Sequence, residues 1–235
     1  MAGAIIIGAG PGIGRSVALR FARAGMPVAL ISRTTGRISA EVTALGVRTV
    51  TCLADAADDD ALRTALDHAM DALGPPDAVV YNVALIRPDT IGELGGNALR
   101  HAWTVNVGGA ITAAAHVLPG MARRGHGTFV VTGGMPEPKP EYVSLSLGKA
   151  AVRALVDLLD RQYGPAGAHI ATVTVAGPVA PGTPFDPDDI ADRYWHLHTQ
   201  PRSHWQREII DSGAPESIAG RVRSRPVTAP DQRFA

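Results

Sequence analysis

The residues with the clearest chemical meaning are glycines near the N-terminus, namely Gly8, Gly10, Gly12 and Gly14. They follow the apolar run 4–7, and a helical pattern begins at Ile13. Glycines at such a junction let backbone amides approach a pyrophosphate, and the helix N-terminus adds partial positive charge. Glycines also serve simple turns, but strand, loop and helix in this order predict a dinucleotide site that includes Pro11 and Ile13.

The end of the second predicted strand indicates which dinucleotide is bound. NAD-selective folds place a carboxylate there to accept a hydrogen bond from the ribose 2′-hydroxyl. This chain has Ser32, Arg33 and Thr34 at that point. Nothing among them repels a 2′-phosphate, and the guanidinium of Arg33 can bind one. A solvated surface arginine is the alternative reading, and we predict NADP(H) as the cofactor.

Short apolar runs alternate with longer amphipathic ones along the chain. The runs predicted as strands are 4–7, 27–31, 48–53, 78–81, 128–131 and 170–175. Those predicted as helices are 13–24, 38–45, 59–73, 98–123 and 143–163. Strands that are apolar throughout are typical of a sheet covered on both faces. The alternation predicts an α/β protein with a doubly wound parallel sheet in one domain, residues 1–211.

The alternation of strand and helix patterns stops after Gly177, where several prolines interrupt the chain. Residues 188–200 then read as a helix, and 208–210 as a last short strand. We expect a substrate lid over about 178–206. The segment 212–235 is rich in proline, arginine and alanine without periodicity, which indicates a mobile or wrapping tail.

Composition excludes several functional classes. Lysine plus arginine equals aspartate plus glutamate, so the net charge is zero and there is no electrostatic case for binding nucleic acid or an anionic membrane. The one cysteine, Cys52, excludes an internal disulfide and reads as a buried apolar residue. The apolar stretch 4–7 is too short for a membrane span and lacks the basic flank of a signal peptide. We expect a cytoplasmic protein.

The glycine spacing G-x-x-x-G-x-G resembles that of the short-chain dehydrogenase/reductase family, and further matches extend over about residues 4–180. Asp55 matches the family aspartate that contacts adenine. Asn82, Val83 and Ala84 lie where the family has Asn-Ala-Gly. The resemblance implies the Rossmann fold, a nicotinamide cofactor and a small-molecule substrate.

Further matches fall in the second half of the chain. The resemblance implies that Asn106 is the catalytic asparagine and that Lys149 is the catalytic lysine, which also holds the nicotinamide ribose. Gly177 and Val179 match the family segment that lies against the nicotinamide amide. The family commonly pairs long helices across two-fold axes, and the apolar surface of helix 143–163 fits this, although it could instead pack on the protein's own sheet. A homodimer or homotetramer is expected.

The resemblance also exposes two departures. The family's proton-donating tyrosine stands four residues before the lysine, on the same helix face. Leu145 holds that position here, and Gly134 holds the position of the serine that orients the substrate carbonyl. Neither residue transfers a proton.

Three neighbours are candidate replacements. Tyr142 lies about 10 Å from Lys149 along a helix axis, which is too far for direct contact unless the preceding chain folds back; otherwise it is a loop residue packing near the site. Thr132 is a candidate for the serine role. Ser146 and Lys149 spell S-x-x-K, a nucleophile pattern of penicillin-binding proteins, but the match is expected to be chance.

The histidines near the C-terminal end invite a metal interpretation. His196 and His198 are two residues apart, so they do not share a helix face, and no acidic or cysteine partner completes a ligand set with His204. We predict no metal. Together with Tyr194, Trp195 and Trp205, these residues either line a substrate pocket or pack a helix.

Three functional hypotheses follow. The first is an NADP(H)-dependent oxidoreductase with a non-standard active site, acting on an iminium or an activated alkene that needs no strong acid. The second is a cofactor-binding protein without redox turnover, a sensor or an inactive partner. The third is a non-redox enzyme that reuses the pocket for a dehydration or cyclisation.

Overall fold

The computed structural model describes residues 3–214, and within them a parallel sheet forms the centre. Its strands are β1 (Ala4–Ile7), β2 (Val28–Ser32), β3 (Thr49–Leu53), β4 (Ala78–Tyr81), β5 (Gly127–Gly134), β6 (Ala168–Val175) and β7 (Glu208–Asp211). Their spatial order is β3-β2-β1-β4-β5-β6-β7. The direction of winding reverses between β1 and β4, which creates a crevice at the carboxyl ends of these strands.

Helices cover both faces of the sheet. They are α1 (Ile13–Arg23), α2 (Gly36–Thr43), α3 (Asp59–Leu73), α4 (Gly96–Trp103), α5 (Gly109–Arg124), α6 (Val143–Tyr163) and α7 (Pro187–Thr199). A π-helical turn, Thr104–Gly108, joins α4 to α5, and a short 3₁₀ helix, Arg202–His204, follows α7.

Two apolar layers bury the sheet. Ile5 and Ile7 point into the layer formed with α3, α5 and α6, whereas Ile6 points into the layer formed with α1, α2 and α7. Because successive residues of a strand face opposite sides, only a strand apolar throughout suits a doubly covered sheet. Cys52 is buried in the first layer as a free thiol.

The predicted fold class, a doubly wound parallel sheet in one domain, is confirmed. The bounds of 4–7, 59–73, 78–81 and 143–163 agree with the structure. Most other predicted ends are displaced by one or two residues. The larger difference is β5, which continues three residues past the predicted end because Gly133 and Gly134 pair with β6.

The helical run Gly96–Arg124 needs a correction of another kind. It was predicted as one regular helix over 98–123, but the π-helical turn interrupts it. The run is long and apolar enough to cross a membrane by length and composition, yet 56% of its most apolar window is buried inside the protein. It packs against α3 and α6, so it is a core helix. From residue 215 onward, the predicted tail lies outside the described residues.

Candidate active site

The glycine loop between β1 and α1 is held by contacts that exclude side chains. Gly8 adopts φ +86°, a conformation that favours glycine. A Cβ on Gly14 would lie 2.2 Å from the Gly8 carbonyl oxygen. Gly10 N–H donates to that oxygen at 2.7 Å, and Gly12 precedes the first turn of α1. That turn has no acidic residue and no side-chain cap. The Arg15 N–H donates to the Gly10 carbonyl at 2.8 Å, which leaves the Ile13 and Gly14 amides at the start of the helix for an anion such as a pyrophosphate.

A buried polar chain ties the strand ends around this loop. Asn82 Nδ2 donates to the Gly8 carbonyl at 3.0 Å, and Thr132 Oγ1 donates to Asn82 Oδ1 at 2.8 Å. Since the Thr132 hydrogen is used there, the Tyr194 hydroxyl is the donor in its 2.7 Å contact with Thr132 Oγ1. The Thr132 hydroxyl is thus engaged in linking β4, β5 and α7, which does not favour a serine-like catalytic role.

The end of β2 is open to solvent. Arg33 and Thr34 are exposed, and the Ser32 hydroxyl donates to the Thr34 carbonyl at 2.6 Å. The neighbouring carboxylate, Glu41 on α2, accepts a hydrogen bond from Arg15 Nε at 2.7 Å. The hydrogen bond from Arg15 lowers the pKa of Glu41. This corner therefore carries an excess of guanidinium groups.

The other predicted adenine and nicotinamide contacts lie along the same carboxyl edge. Asp55 is exposed after β3, and its Oδ1 accepts from the Ala57 N–H at 3.0 Å. Val83 follows β4, with its nitrogen 2.8 Å from the position of a Cβ on Gly8, and Ala84 beside it is exposed.

Lys149 is the central ionisable group of the second half of the site. It is 4% exposed, and its Nζ donates to the Thr132 carbonyl at 2.7 Å. Burial lowers the pKa of Lys149 to about 8. Leu145, one turn earlier on α6, is buried as well. A Cβ on Gly134 would lie 3.8 Å from Lys149 Cε. A side chain at position 134 would therefore begin beside the stem of Lys149.

The backbone beside Gly134 is unusual. Met135 is the one non-glycine residue with positive φ, +47°, among residues 3–214. Arg153, one turn after Lys149, donates through Nη1 to the carbonyls of Gly134 and Met135 at 3.1 and 3.3 Å. Such strained backbone held by a charged side chain is typical of functional sites. Sequence reasoning missed Arg153, because an arginine on a long helix carries no local sign of this role.

Asn106 lies in the π-helical turn and holds a loop. Its Oδ1 accepts from the Leu85 N–H at 2.8 Å, and its Nδ2 donates to the Leu85 carbonyl at 3.4 Å. Gly148 faces it, since a Cβ there would lie 3.0 Å from Asn106 Cβ. Asn106 therefore connects the loop after β4 to α6, one residue from Lys149.

Asp89 is a second residue that sequence reasoning missed. It is 7% exposed, accepts from the Ser144 N–H at 2.9 Å and also from the Ser144 hydroxyl. Burial would raise the pKa of Asp89, but the bonds from Ser144 and the nearby Arg87 keep it below its usual value. Its backbone forms a parallel bridge with Tyr142. The loop after β4 is thereby fastened to the start of α6, beside the half-buried Tyr142.

The S-x-x-K pair does not form a dyad. The Ser146 hydroxyl accepts from the Lys139 N–H at 3.0 Å, and donates to the Lys139 carbonyl at 3.3 Å. Ser146 thus anchors the loop before α6, while Lys149 donates to Thr132.

The segment 176–186 follows β6 over the same edge. Phe185 packs on the backbone of Gly177, where a Cβ would lie 2.0 Å from its ring, and Val179 is 38% exposed. The lid expected over 178–206 stays a prediction for this segment. From Pro187 onward the chain is α7, which packs on α1.

The aromatic residues of α7 pack in the interior, whereas Trp205, just after the 3₁₀ helix, lines a cavity of about 360 Å³ together with His198 and Thr128, at the amino end of β5. Tyr194 is fully buried, Trp195 meets Phe21 edge-on at 5.3 Å, and Trp205 stacks on His169 at 4.7 Å. Among residues 3–214 no group of three or more histidine, cysteine or acidic side chains is arranged to hold a metal ion.

Comparison with known proteins gives consistent matches over this architecture. Residues 2–189 match the family model of short chain dehydrogenases. An uncharacterized oxidoreductase of Mycobacterium tuberculosis is 31% identical over 174 residues, which cover 73% of this chain but only 60% of that protein. L-rhamnose 1-dehydrogenase (NAD(P)(+)) of a Sphingomonas species is 27% identical, covering 93% of this chain and 86% of that one.

Solved structures agree. A short-chain dehydrogenase from Rhodopseudomonas palustris has a TM-score of 0.81 at 25% identity, covering 89% of this chain and 97% of that one. An alcohol dehydrogenase from Thermococcus sibiricus, complexed with 5-hydroxy-NADP, has a TM-score of 0.83 at 23% identity, covering 92% and 99%. At 23% identity, the similarity to the Thermococcus sibiricus structure shows a shared fold.

Proposed function

This chain belongs to the short-chain dehydrogenase family, and from that premise we propose that it is an NADP(H)-dependent oxidoreductase with a non-standard active site. The observation that carries the proposal is the close-packed glycine loop together with the end of β2, where residues 32–34 include Arg33 and no carboxylate. When bound, a reduced nicotinamide supplies hydride. Gly8 to Gly14 would hold its pyrophosphate, and Asp55 its adenine.

The preference for NADP(H) rests on Ser32, Arg33 and Thr34. A guanidinium contact to the 2′-phosphate is worth roughly 1.5–3 kcal/mol, which is about tenfold or more in affinity. Fluorescence titration with NADPH and NADH tests it, with Arg33→Ala expected to weaken only NADPH. Arg123→Ala is the matched control, since Arg123 is an exposed arginine at the end of α5, beside the opposite edge of the sheet. Equal affinity for both cofactors contradicts the preference.

The remaining nicotinamide half would be held by Lys149 at the ribose and by Gly177 and Val179 beside the amide. Asn82, Val83 and Ala84 support the same edge. Lys149→Ala is expected to weaken NADPH binding even though no tyrosine depends on the lysine.

The proposed chemistry differs from that of ordinary ketone reduction, because Leu145 and Gly134 offer no proton. General acid catalysis contributes roughly 10²–10⁴-fold, so simple ketones and secondary alcohols are expected to react near the detection limit. An iminium or an activated alkene accepts hydride without a strong acid. Tyr142 is the remaining phenol beside the start of α6, and fast ketone reduction lost in Tyr142→Phe would identify it as the acid.

Two other functions are kept as alternatives, because the same pocket serves them. They are cofactor binding without redox turnover and a non-redox reaction such as dehydration. NADPH binding without NADPH oxidation over a broad panel of ketones, imines and enones would favour them.

We also propose a cytoplasmic homodimer or homotetramer. On α6, Ala150, Ala154 and Leu158 are exposed, and Leu147 is 50% exposed, so this helix leaves an apolar outer surface. Light scattering at micromolar concentration tests this, and a monomer mass contradicts it.

A further inference from the structure

The space beside Lys149 is shaped by what Gly134 lacks. The nearest atoms to a Cβ there would be the Val175 carbonyl oxygen at 3.7 Å, Lys149 Cε at 3.8 Å and Lys149 Cγ at 3.9 Å. Position 134 therefore places no side-chain atom against the stem of Lys149.

Lys149 has donors to spare. An ammonium group carries three N–H bonds. In the described part of the chain Nζ makes one hydrogen bond, to the Thr132 carbonyl. One remaining N–H suffices for a ribose hydroxyl, which leaves one for a substrate oxygen.

Few other ionisable groups compete for that role. Tyr142 stands just before α6, seven residues before Lys149. On α6, Arg153 one turn after Lys149 is engaged with the carbonyls of Gly134 and Met135. On the loop after β4, Asp89 is engaged by Ser144 and Arg87.

The remaining elements around Lys149 add little charge. The π-helical turn contributes Asn106, which does not titrate, and β5 contributes the Thr132 backbone. At the end of β7, Asp211 is engaged by Arg193. Burial alone accounts for the low pKa of Lys149, about 8, with no carboxylate opposing it.

We propose that Lys149 itself donates the proton to the oxygen of a carbonyl or quinone substrate, which makes it the catalytic acid. The inference rests on the proposed function. A bound reduced nicotinamide would supply the hydride for the new C–H bond as the C=O π bond breaks, and the Nζ proton would go to the oxygen. The products are an alcohol, the oxidised nicotinamide and a neutral amine that solvent reprotonates.

A substrate class follows from the charge. A buried ammonium repels a cationic iminium and attracts the partial negative charge that develops on oxygen. The inference thus changes the acceptors named under the proposed function: activated carbonyl compounds, which accept hydride more readily than simple ketones, are favoured over iminium ions. Catalysis is most effective when the pKa of the acid lies near the working pH, which this lysine satisfies.

The first test needs no variant and no turnover. The chain has two lysines, Lys149 and the exposed Lys139, so lysine-selective isotope labelling gives two side-chain NMR signals. We expect one of the two signals, that of Lys149, to titrate near pH 8. The absence of a signal that titrates near pH 8 would overturn the inference.

The second test follows NADPH oxidation with 9,10-phenanthrenequinone and with the cyclic imine 2-methyl-1-pyrroline. We expect the quinone to be reduced faster, with kcat/KM constant below about pH 8 and falling above it. Lys149→Arg keeps the charge but stays protonated well above pH 8, so it should bind NADPH, lose about 100-fold or more in kcat/KM and show no fall near pH 8. Lys139→Arg is the control.

The outcomes separate the two proposals. If the wild-type protein binds NADPH and reduces neither probe, the proposed redox function fails and the lysine inference with it. If reduction occurs and its fall near pH 8 survives in Lys149→Arg, or disappears in Tyr142→Phe, only the lysine inference fails. Faster reduction of the imine overturns the substrate class.

Discussion

The two ends of the crevice differ in how tightly their residues are constrained. At the end proposed to hold the pyrophosphate, a Cβ on Gly14 would lie 2.2 Å from the Gly8 carbonyl oxygen, and a Cβ on Gly8 would lie 2.8 Å from Val83 N, so neither position accepts one. At the end proposed to react, a Cβ on Gly134 would meet its nearest neighbours at 3.7–3.9 Å, which is ordinary contact distance. Close packing therefore restricts substitution at Gly8 and Gly14, whereas Gly134 tolerates a Cβ.

The largest expected effect comes from a substitution in the tightly packed glycine loop. Gly14→Ala places a Cβ against the Gly8 carbonyl, and we expect a loss of roughly 3 kcal/mol of unfolding free energy, or about 6–12 °C in Tm for a domain of this size. Gly12→Ala is the matched control, because a Cβ there meets nothing within 4 Å. Thermal unfolding of both variants measures the difference. Equal stability of Gly14→Ala and Gly12→Ala would show that the backbone of the glycine loop moves to accommodate the Cβ, which contradicts the prediction.

The next prediction concerns Lys149 at the open end. In the unfolded chain its pKa is 10.5, and in the folded chain burial lowers it to about 8. The cost of the buried charge is fully present below pH 8 and disappears as the pH rises to 10.5. The cost of the charge is about 3 kcal/mol at pH 7, and the lost hydrogen bond to Thr132 offsets about 1 kcal/mol of it. Lys149→Met should thus stabilise the cofactor-free protein by about 2 kcal/mol at pH 7, and less as the pH rises. Urea unfolding at several pH values measures this, and a destabilised variant at pH 7 would contradict it.

A third prediction concerns Asp89, which fastens the loop after β4 to the start of α6. Asp89→Ala removes the acceptor for the Ser144 N–H and hydroxyl, so we expect a loss of about 1.5 kcal/mol. Because the pKa of Asp89 is lowered in the fold, its contribution is present above the unfolded value of 3.8 and is lost as the pH falls through the folded value. We expect the unfolding free energies of wild type and Asp89→Ala, measured with denaturant, to differ at neutral pH and to converge at acidic pH. A constant difference would argue against a titrating contact.

The smallest effect concerns the link between the two ends. Tyr194→Phe removes the donor to Thr132 and should cost about 1 kcal/mol, with NADPH affinity unchanged because the hydroxyl lies 2.7 Å from Thr132 and not in the loop. Paired stability and titration measurements check both parts. A loss of NADPH binding alone would mean that the polar chain acts on the cofactor site.

Local patterns predicted the elements better than the contacts between them. The β1 strand and the glycine loop carry their signal in consecutive residues, and helix 143–163 in its periodicity and in the glycine and proline that follow. The π-helical turn around Asn106 could not be predicted, because the sequence remains helical throughout. Asp89 and Arg153 were missed since their partners lie 55 and 19 residues away. For Tyr194 and Trp195, composition did not distinguish a pocket from packing, and contacts with α1 favour packing.

The central claim is that the cofactor end is intact while the tyrosine acid of the family is missing from the reacting end. The most direct measurement compares the wild-type protein with the double variant Leu145→Tyr, Gly134→Ser on cyclohexanone at saturating NADPH. Leu145 lies one turn before Lys149, so the new phenol has the ammonium beside it, where its pKa should fall. We predict ketone reduction at least about 100-fold faster in the double variant, with similar NADPH affinity in both proteins. Wild-type reduction as fast as that of a folded, NADPH-binding double variant would contradict the account.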